Sequence, residues 1–262
     1  MRRLPFAVRV LGSRLIGHIP VRIRSGPNIG FKWTLVSSGR GYRTGRFETE
    51  RVGAITALAR PGDCFWDVGA HKGYITMAAA RAVGNSGQVL AFEPARLNVT
   101  ALERHVRWNR LGNVRLVPVA LSDADGEGLC GGPGSSLTYK LGRGDERVSI
   151  RSIHSLIERD HLPLPSVLKV DTEGNEAAVL RGGLDCLSAG MLVWVAVHSR
   201  ALFHECHELL RSRDFRVFQS RTMRARTENT EMSWGGDKEL LAVGASRAVS
   251  DDEVLALPLF RG

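Results

Sequence analysis

The chain has 262 residues, 43% of them hydrophobic and 24% charged, which suits one large α/β domain and excludes wholesale disorder, collagen and a disulfide scaffold. No apolar run reaches the roughly 18 uncharged residues of a membrane span, and Cys64, Cys130, Cys186 and Cys206 include no CxxC pair, which argues for reduced thiols in a cytoplasm. The net charge of +9 is concentrated, because residues 1–60 hold twelve Lys or Arg against Glu48 and Glu50 while the rest is nearly neutral.

In chain order, the first pattern is an amphipathic helix. Leu4, Val8, Leu11, Leu15 and Ile19 share one face, with Arg2, Arg3, Arg9 and Arg14 on the other. Arg9 and Arg14 interrupt any secretory h-region. The stripe fits docking on the protein's own body or weak contact with an anionic membrane surface. Arginine-rich composition is the plain alternative for the charge, since only five of the 36 basic residues are lysine. Residues 20–47 read as a β-rich lead-in, and 48–60 as a helix stopped by Pro61-Gly62.

From Asp63 the pattern turns regular. Strands are expected at 64–68, 88–92, 114–120, 167–170 and 191–197. Helices are expected at 74–83, 97–109, 175–180 and 202–210, and residues 215–218 and 239–243 form a closing strand pair. This alternation predicts a mostly parallel sheet wound on both faces, an α/β fold. The stretch 124–147 breaks it and reads as a loop or hairpin near the site. The expected units are a basic extension at 1–60, the main domain at 61–247 and a tail at 248–262.

Ligands of such sheets bind beyond the carboxyl ends of the strands, and three strand ends carry chemistry. In Asp67-Val68-Gly69-Ala70-His71-Lys72-Gly73 the glycines permit a tight turn. His71 stands where a dinucleotide fingerprint needs glycine, and no Walker Gly-Lys-Ser/Thr follows, so pyrophosphate is disfavoured. Asp67 at the head of the turn suits a ligand with a positive group. Glu93, in Ala91-Phe92-Glu93-Pro94, is placed to accept both hydroxyls of a ribose. In Lys169-Val170-Asp171-Thr172-Glu173-Gly174-Asn175-Glu176, Asp171 faces the crevice, while Glu176 is accounted for by the helix dipole alone.

Together these residues resemble the FkbM-type family of class I S-adenosylmethionine-dependent methyltransferases. That family reads Asp-Val-Gly-Ala-Asn-x-Gly, Ala-Phe-Glu-Pro, Lys-Ile-Asp-Val-Glu-Gly-x-Glu and a later Glu-x-His. This chain matches at 67–73, 91–94, 169–176 and His198, with further agreement at Gly45-Arg46-Phe47-Glu48, at Asn109 and Asn113, and at Ala120-Leu121-Ser122-Asp123. The resemblance covers about residues 42–200 and implies a seven-stranded Rossmann-like sheet with an antiparallel last pair. It also implies S-adenosyl-L-methionine as cofactor and methyl transfer to a hydroxyl of a sugar, glycolipid or natural product. By the same resemblance the cofactor lies against Glu48, Asp67, Gly69, Ala70, His71, Gly73, Glu93, Ser122, Asp123 and Asp171. Three departures stand out: His71 for asparagine, His154 for an aspartate, and Ala196 for the glutamate of Glu-x-His.

A hydroxyl acceptor must lose its proton to a base within about 3 Å, and His198, Asp171 and Glu173 are the catalytic candidates. A divalent metal bound by Asp171 and other carboxylates is a minor alternative, with no second ligand cluster visible, and no metal is expected. Nucleic acid is disfavoured as a partner, because the basic segment has few aromatics for base stacking. A non-catalytic cofactor-binding protein is the other competing class.

Overall fold

The computed structural model describes residues 19–35, 39–132, 140–220 and 238–260. The amphipathic stripe of residues 4–18 lies outside them, and Ile19 at its end is exposed. The lead-in makes a two-stranded antiparallel ribbon, β1 (Pro20–Arg22) and β2 (Lys32–Thr34), and then a short helix α1 (Arg40–Thr44). Helix α2 (Thr49–Leu58) ends two residues before Arg60, since a residue preceding proline is pushed out of helical geometry. Trp33, Tyr42, Val52 and Ile55 join the same apolar cluster as the following helix and the sheet.

Seven strands form the central sheet: β3 (Cys64–Val68), β4 (Gln88–Phe92), β5 (Val114–Val117), β10 (Val167–Val170), β11 (Leu192–Val197), β12 (Arg216–Gln219) and β13 (Lys238–Val243). Their order is β12-β13-β11-β10-β3-β4-β5. The five from β11 to β5 are parallel, and β13 pairs antiparallel with both β11 and β12. The expected closing pair is therefore present.

Helices α3 (Tyr74–Val83), α4 (Arg96–Asn109), α5 (Ile153–Glu158), α6 (Glu176–Arg181) and α7 (Arg200–Arg211) connect or flank the strands. Val89, Val167, Trp194 and Leu241 face one apolar cluster, and Leu90, Leu168, Val193 and Leu240 face the other. Alternate residues of each strand thus bury both faces of the sheet, as a doubly wound fold requires. A final helix, α8 (Asp251–Ala256), places Val254 in the first cluster, and Arg247 grips Asp63 through two hydrogen bonds of 2.9 and 2.7 Å.

One expected strand is corrected. The run 114–120 divides, because Pro118 has no N–H to give the ladder. β5 ends at Val117, and β6 (Ala120–Ser122) joins a second, four-stranded sheet with β7 (Gly126–Gly131), β8 (Lys140–Leu141) and β9 (Glu146–Ser152). This small sheet contains the expected hairpin, and Cys130 and Leu141 bring it to the wall of the central cleft.

Candidate active site

The carboxyl ends of β3, β4, β10 and β11 open on one cleft of ≈ 1070 Å³, its mouth included. At the end of β3 the chain turns at Gly69, φ 73°. A Cβ there would stand 1.8 Å from the Asp171 carbonyl oxygen, so only glycine fits. The amides of Gly69 and Ala70 both donate to Phe92 O at 3.0 Å. The turn thus spends its N–H groups on the protein, unlike an anion-binding nest.

Asp67, expected at the cofactor, is fully buried behind this turn. It meets the Lys169 ammonium at 2.9 Å across the β3–β10 register and accepts from Thr76 Oγ1 at 2.6 Å. Gly73 is likewise behind the wall, where a Cβ would meet Leu102 Cδ1 at 2.2 Å. The structure therefore gives both residues a role in shaping the turn and no face on the cleft. Ser122 and Asp123 also lie off the cleft, bonded to each other, with Asp123 near Arg181. His154 is exposed at the start of α5, so that departure does not touch the site.

Glu93 lines the cleft. Its carboxylate accepts from the His71 amide at 2.8 Å, the Ala95 amide at 3.0 Å and Asn98 Nδ2 at 3.1 Å. Burial raises its pKa, against the pull of those donors. Asn98 is 1% exposed, and its Oδ1 has no hydrogen-bond partner within the chain. Two acceptors therefore stand side by side on one wall. Asn98 was missed in the sequence, although it sits in the first turn of α4, five residues after Glu93.

His71 lines the cleft with φ 50°, as do Glu48 at φ 43° and Glu173 at φ 59°. Left-handed backbone is costly outside glycine, and histidine, like the asparagine it replaces, is among the residues that tolerate it. Strain of this kind gathers at functional sites. Burial pushes the His71 pKa down to about 3, so its ring is neutral.

The third strand end carries the charge. Asp171 Oδ2 faces Arg51 Nη1 at 3.5 Å and Lys169 Nζ at 3.9 Å, while its Oδ1 faces His198 Nε2 at 3.6 Å. Burial opposes its ionisation, but Lys169, Arg51 and His198 outweigh burial and hold its pKa below the usual range. Glu173 Oε1 lies 3.7 Å from His198 Nε2. Asp171, Glu173 and His198, the three residues expected as catalytic candidates, thus bring three ligand-type atoms within 4.8 Å of one another.

Glu176 is the correction in this region. It does more than serve the helix dipole: fully buried, its Oε1 accepts from the Thr172 and Gly174 amides at 3.1 and 2.9 Å and from His198 Nδ1 at 3.0 Å. His198 therefore has an acidic partner despite Ala196. Burial works against charge on the ring, but the Glu176 hydrogen bond and the Asp171, Glu176 and Glu173 carboxylates push its pKa up to about 9. Arg51 was also missed. It reaches the cleft from α2, 120 residues before Asp171, and also meets Glu48 Oε2 at 3.1 Å.

A parallel sheet with one reversed strand, β13, next to its edge, a glycine turn after β3, and a carboxylate after β4 define the Rossmann-like methyltransferase class. Residues 67–217, more than half of the chain, match the methyltransferase FkbM domain, and the chain belongs to that family. Among curated relatives it is similar to the hexuronic acid methyltransferase AglP of Haloferax volcanii, 26% identical over 159 residues, or 59% of this chain. The chain spans 64% of that relative's length. Among solved structures it resembles the methyltransferase FkbM of Methylobacillus flagellatus KT, at TM-score 0.50 and 17% identity over 69% of this chain and 43% of that one. It also resembles the precorrin-6y C5,15-methyltransferase of Geobacter metallireducens GS-15, at TM-score 0.50 and 12% identity over 76% and 89% of the two chains. No helix among the described residues is long and apolar enough to cross a membrane.

Proposed function

We propose that this chain is an S-adenosylmethionine-dependent O-methyltransferase whose acceptor is a hydroxyl of a sugar or glycan. The observation that carries the reading is the convergence of four parallel strand ends on one cleft, with acceptors at one side and a carboxylate–histidine cluster at the other. The residues suit the cofactor. Glu93 and the unpartnered Asn98 Oδ1 fit a pair of ribose hydroxyls, Asp171 and Glu48 offer negative charge to a cationic ligand, and the turn amides have none to spare for phosphate. When bound, S-adenosylmethionine supplies a methyl group on a sulfonium, ready for in-line displacement.

The chain's own part is positioning and proton transfer. Glu93 and Asn98 would hold the ribose end, with Ala70 and His71 beneath it. His198 would take the acceptor proton at Nε2, the nitrogen that faces the cleft, while Glu176 keeps Nδ1–H oriented and stabilises the charged ring that results. A base whose pKa lies above neutrality is strong but mostly protonated, so the rate should climb with pH towards about 9. Asp171 as base, ionised well below that range, would give a flat profile. The sugar acceptor draws support from the hexuronic acid named for the archaeal relative.

The deciding experiment is a screen of sugars, glycolipids and natural-product alcohols with methyl-labelled S-adenosylmethionine, followed by NMR of the labelled product. The expected product is a methyl ether. A methyl on nitrogen or carbon, or cofactor binding with no transfer to any acceptor, overturns the reading.

A further inference from the structure

Glu239 lies near the start of β13, the strand next to the sheet's edge, and is nonetheless only 3% exposed. Its neighbours along the strand, Leu240 and Leu241, are fully buried. A carboxylate in such a place is destabilising unless it is paired and hydrogen-bonded. Both conditions are met: Oε1 is paired with Arg51 Nη2, and Oε2 accepts from Trp194 Nε1. Burial and the nearby Asp171 and Glu48 carboxylates raise its pKa to about 7, against Arg51 and Trp194, which lower it.

The register explains why the carboxylate comes from this strand. Glu239 stands directly opposite Ala196 in the antiparallel β11–β13 pair. Facing residues of such a pair project on the same side with Cβ atoms about 5 Å apart. Ala196 is 1% exposed and leaves that side open to the longer chain.

The Arg51 guanidinium is a planar fork. Its Nη2 is paired with Glu239, while its Nη1 meets Glu48 Oε2 and Asp171 Oδ2. The other Asp171 oxygen then faces His198. With Nη2 released, both arms could engage Asp171 side by side, as guanidinium–carboxylate pairs favour, and the carboxylate would turn away from the ring.

We propose that Glu239 is a positioning residue, which holds Arg51 so that Asp171 presents one oxygen to the cleft, and which supplies from β13 the carboxylate that position 196 lacks. The proposal rests on the methyltransferase reading above and adds to it a residue that does not itself line the cleft.

The test is calorimetric titration of the full chain with S-adenosylmethionine from about pH 6 to about pH 8.5. Glu239→Gln keeps the side-chain length and one acceptor but loses the charge, and should weaken binding at the upper pH by about tenfold. Wild-type affinity should show a fall as pH drops through about 7, where Glu239 takes up its proton, and that step should be absent in Glu239→Gln, leaving only the dependence from His198 nearer pH 9. A merely structural role would move the melting temperature and leave the pH dependence in place. In the swap, Ala196→Glu combined with Glu239→Ala should recover affinity to within about threefold of wild type, where Glu239→Ala alone does not. Equal affinity of wild type and Glu239→Gln across the range, or a swap no better than Glu239→Ala, overturns the proposal alone. A wild-type chain that does not bind S-adenosylmethionine overturns the methyltransferase reading, and the proposal with it.

Discussion

Replacing Glu176 by glutamine strikes the point where the β10 turn and His198 meet. The Oε1 atom of Glu176 accepts from two backbone amides and from His198 Nδ1, and the residue is shut off from solvent. Moving the ring from 6.5 to about 9 corresponds to about 3 kcal/mol between its charged and neutral forms. Burial opposes that shift, and the Glu176 hydrogen bond is the foremost of the contributions that overcome it. Glu176→Gln should therefore lower the His198 pKa by at least about one unit, with Asp171 and Glu173 retaining the rest.

Stability should follow the same group. A pKa raised in the folded state stabilises fully below the unfolded value of 6.5 and ceases to do so as pH rises through about 9. Wild type should lose up to about 3 kcal/mol across that window, and the variant clearly less. Imidazole NMR titration, with His198 assigned by comparison with His198→Gln, reads the first effect, and urea unfolding at about pH 6.5 and about pH 9.5 reads the second. A wild-type His198 that titrates near 6.5, or a variant that titrates with wild type, refutes the electrostatic account of this cluster.

Three further outcomes are expected. Glu93→Ala should weaken S-adenosylmethionine binding by about 3 kcal/mol, the value of a pair of charge-assisted hydrogen bonds, and unchanged calorimetric affinity would remove Glu93 from the cofactor site. Gly69→Ala meets both a φ of 73° and the Asp171 carbonyl at 1.8 Å, so its melting temperature should drop by at least about 5 °C, whereas Gly112→Ala, with nothing within 4 Å, should melt near wild type; equal melting of the two variants would contradict the close approach. EDTA should change cofactor affinity and methyl transfer by less than about twofold near neutral pH, because a His198 ring protonated on both nitrogens offers no lone pair to a cation; activity lost to chelator and restored by Mg²⁺ or Mn²⁺ would refute that.

The sheet was legible where local signals are strong. Residues 64–68 and 74–83 have the expected bounds because an apolar strand, a glycine turn and a helix stopped by Gly84 follow one another without competing signals. The run 114–120 misled because its apolar character continues through Pro118, and only the missing donor divides it. At the site, the strand-end rule finds Gly69, Glu93 and Asp171 without any structure, since parallel strands must all deliver their carboxyl ends to one edge. It also selects Asp67, which ends on that edge and yet turns inward to Lys169. The rule fixes position along a strand, whereas the choice between cleft and interior depends on which cation lies in the neighbouring strand.

Arg51, Glu176 and Glu239 escaped for a related reason. Each looks ordinary in the chain: an arginine in a basic segment, an acid at a helix start, an acid in an edge pair. Their chemistry lies in pairings across elements, Arg51 with Asp171 and Glu239, and Glu176 with His198. Ala196 makes the point most directly. Taken along the chain, it removes an acid two residues before His198. Across the sheet, the position opposite it holds Glu239, so a carboxylate remains on the same face, carried by a different strand. A position-by-position comparison with a family pattern registers only the loss. Antiparallel register makes the facing residue an equivalent donor of charge, and a departure in such a motif has meaning only once its cross-strand partner is known.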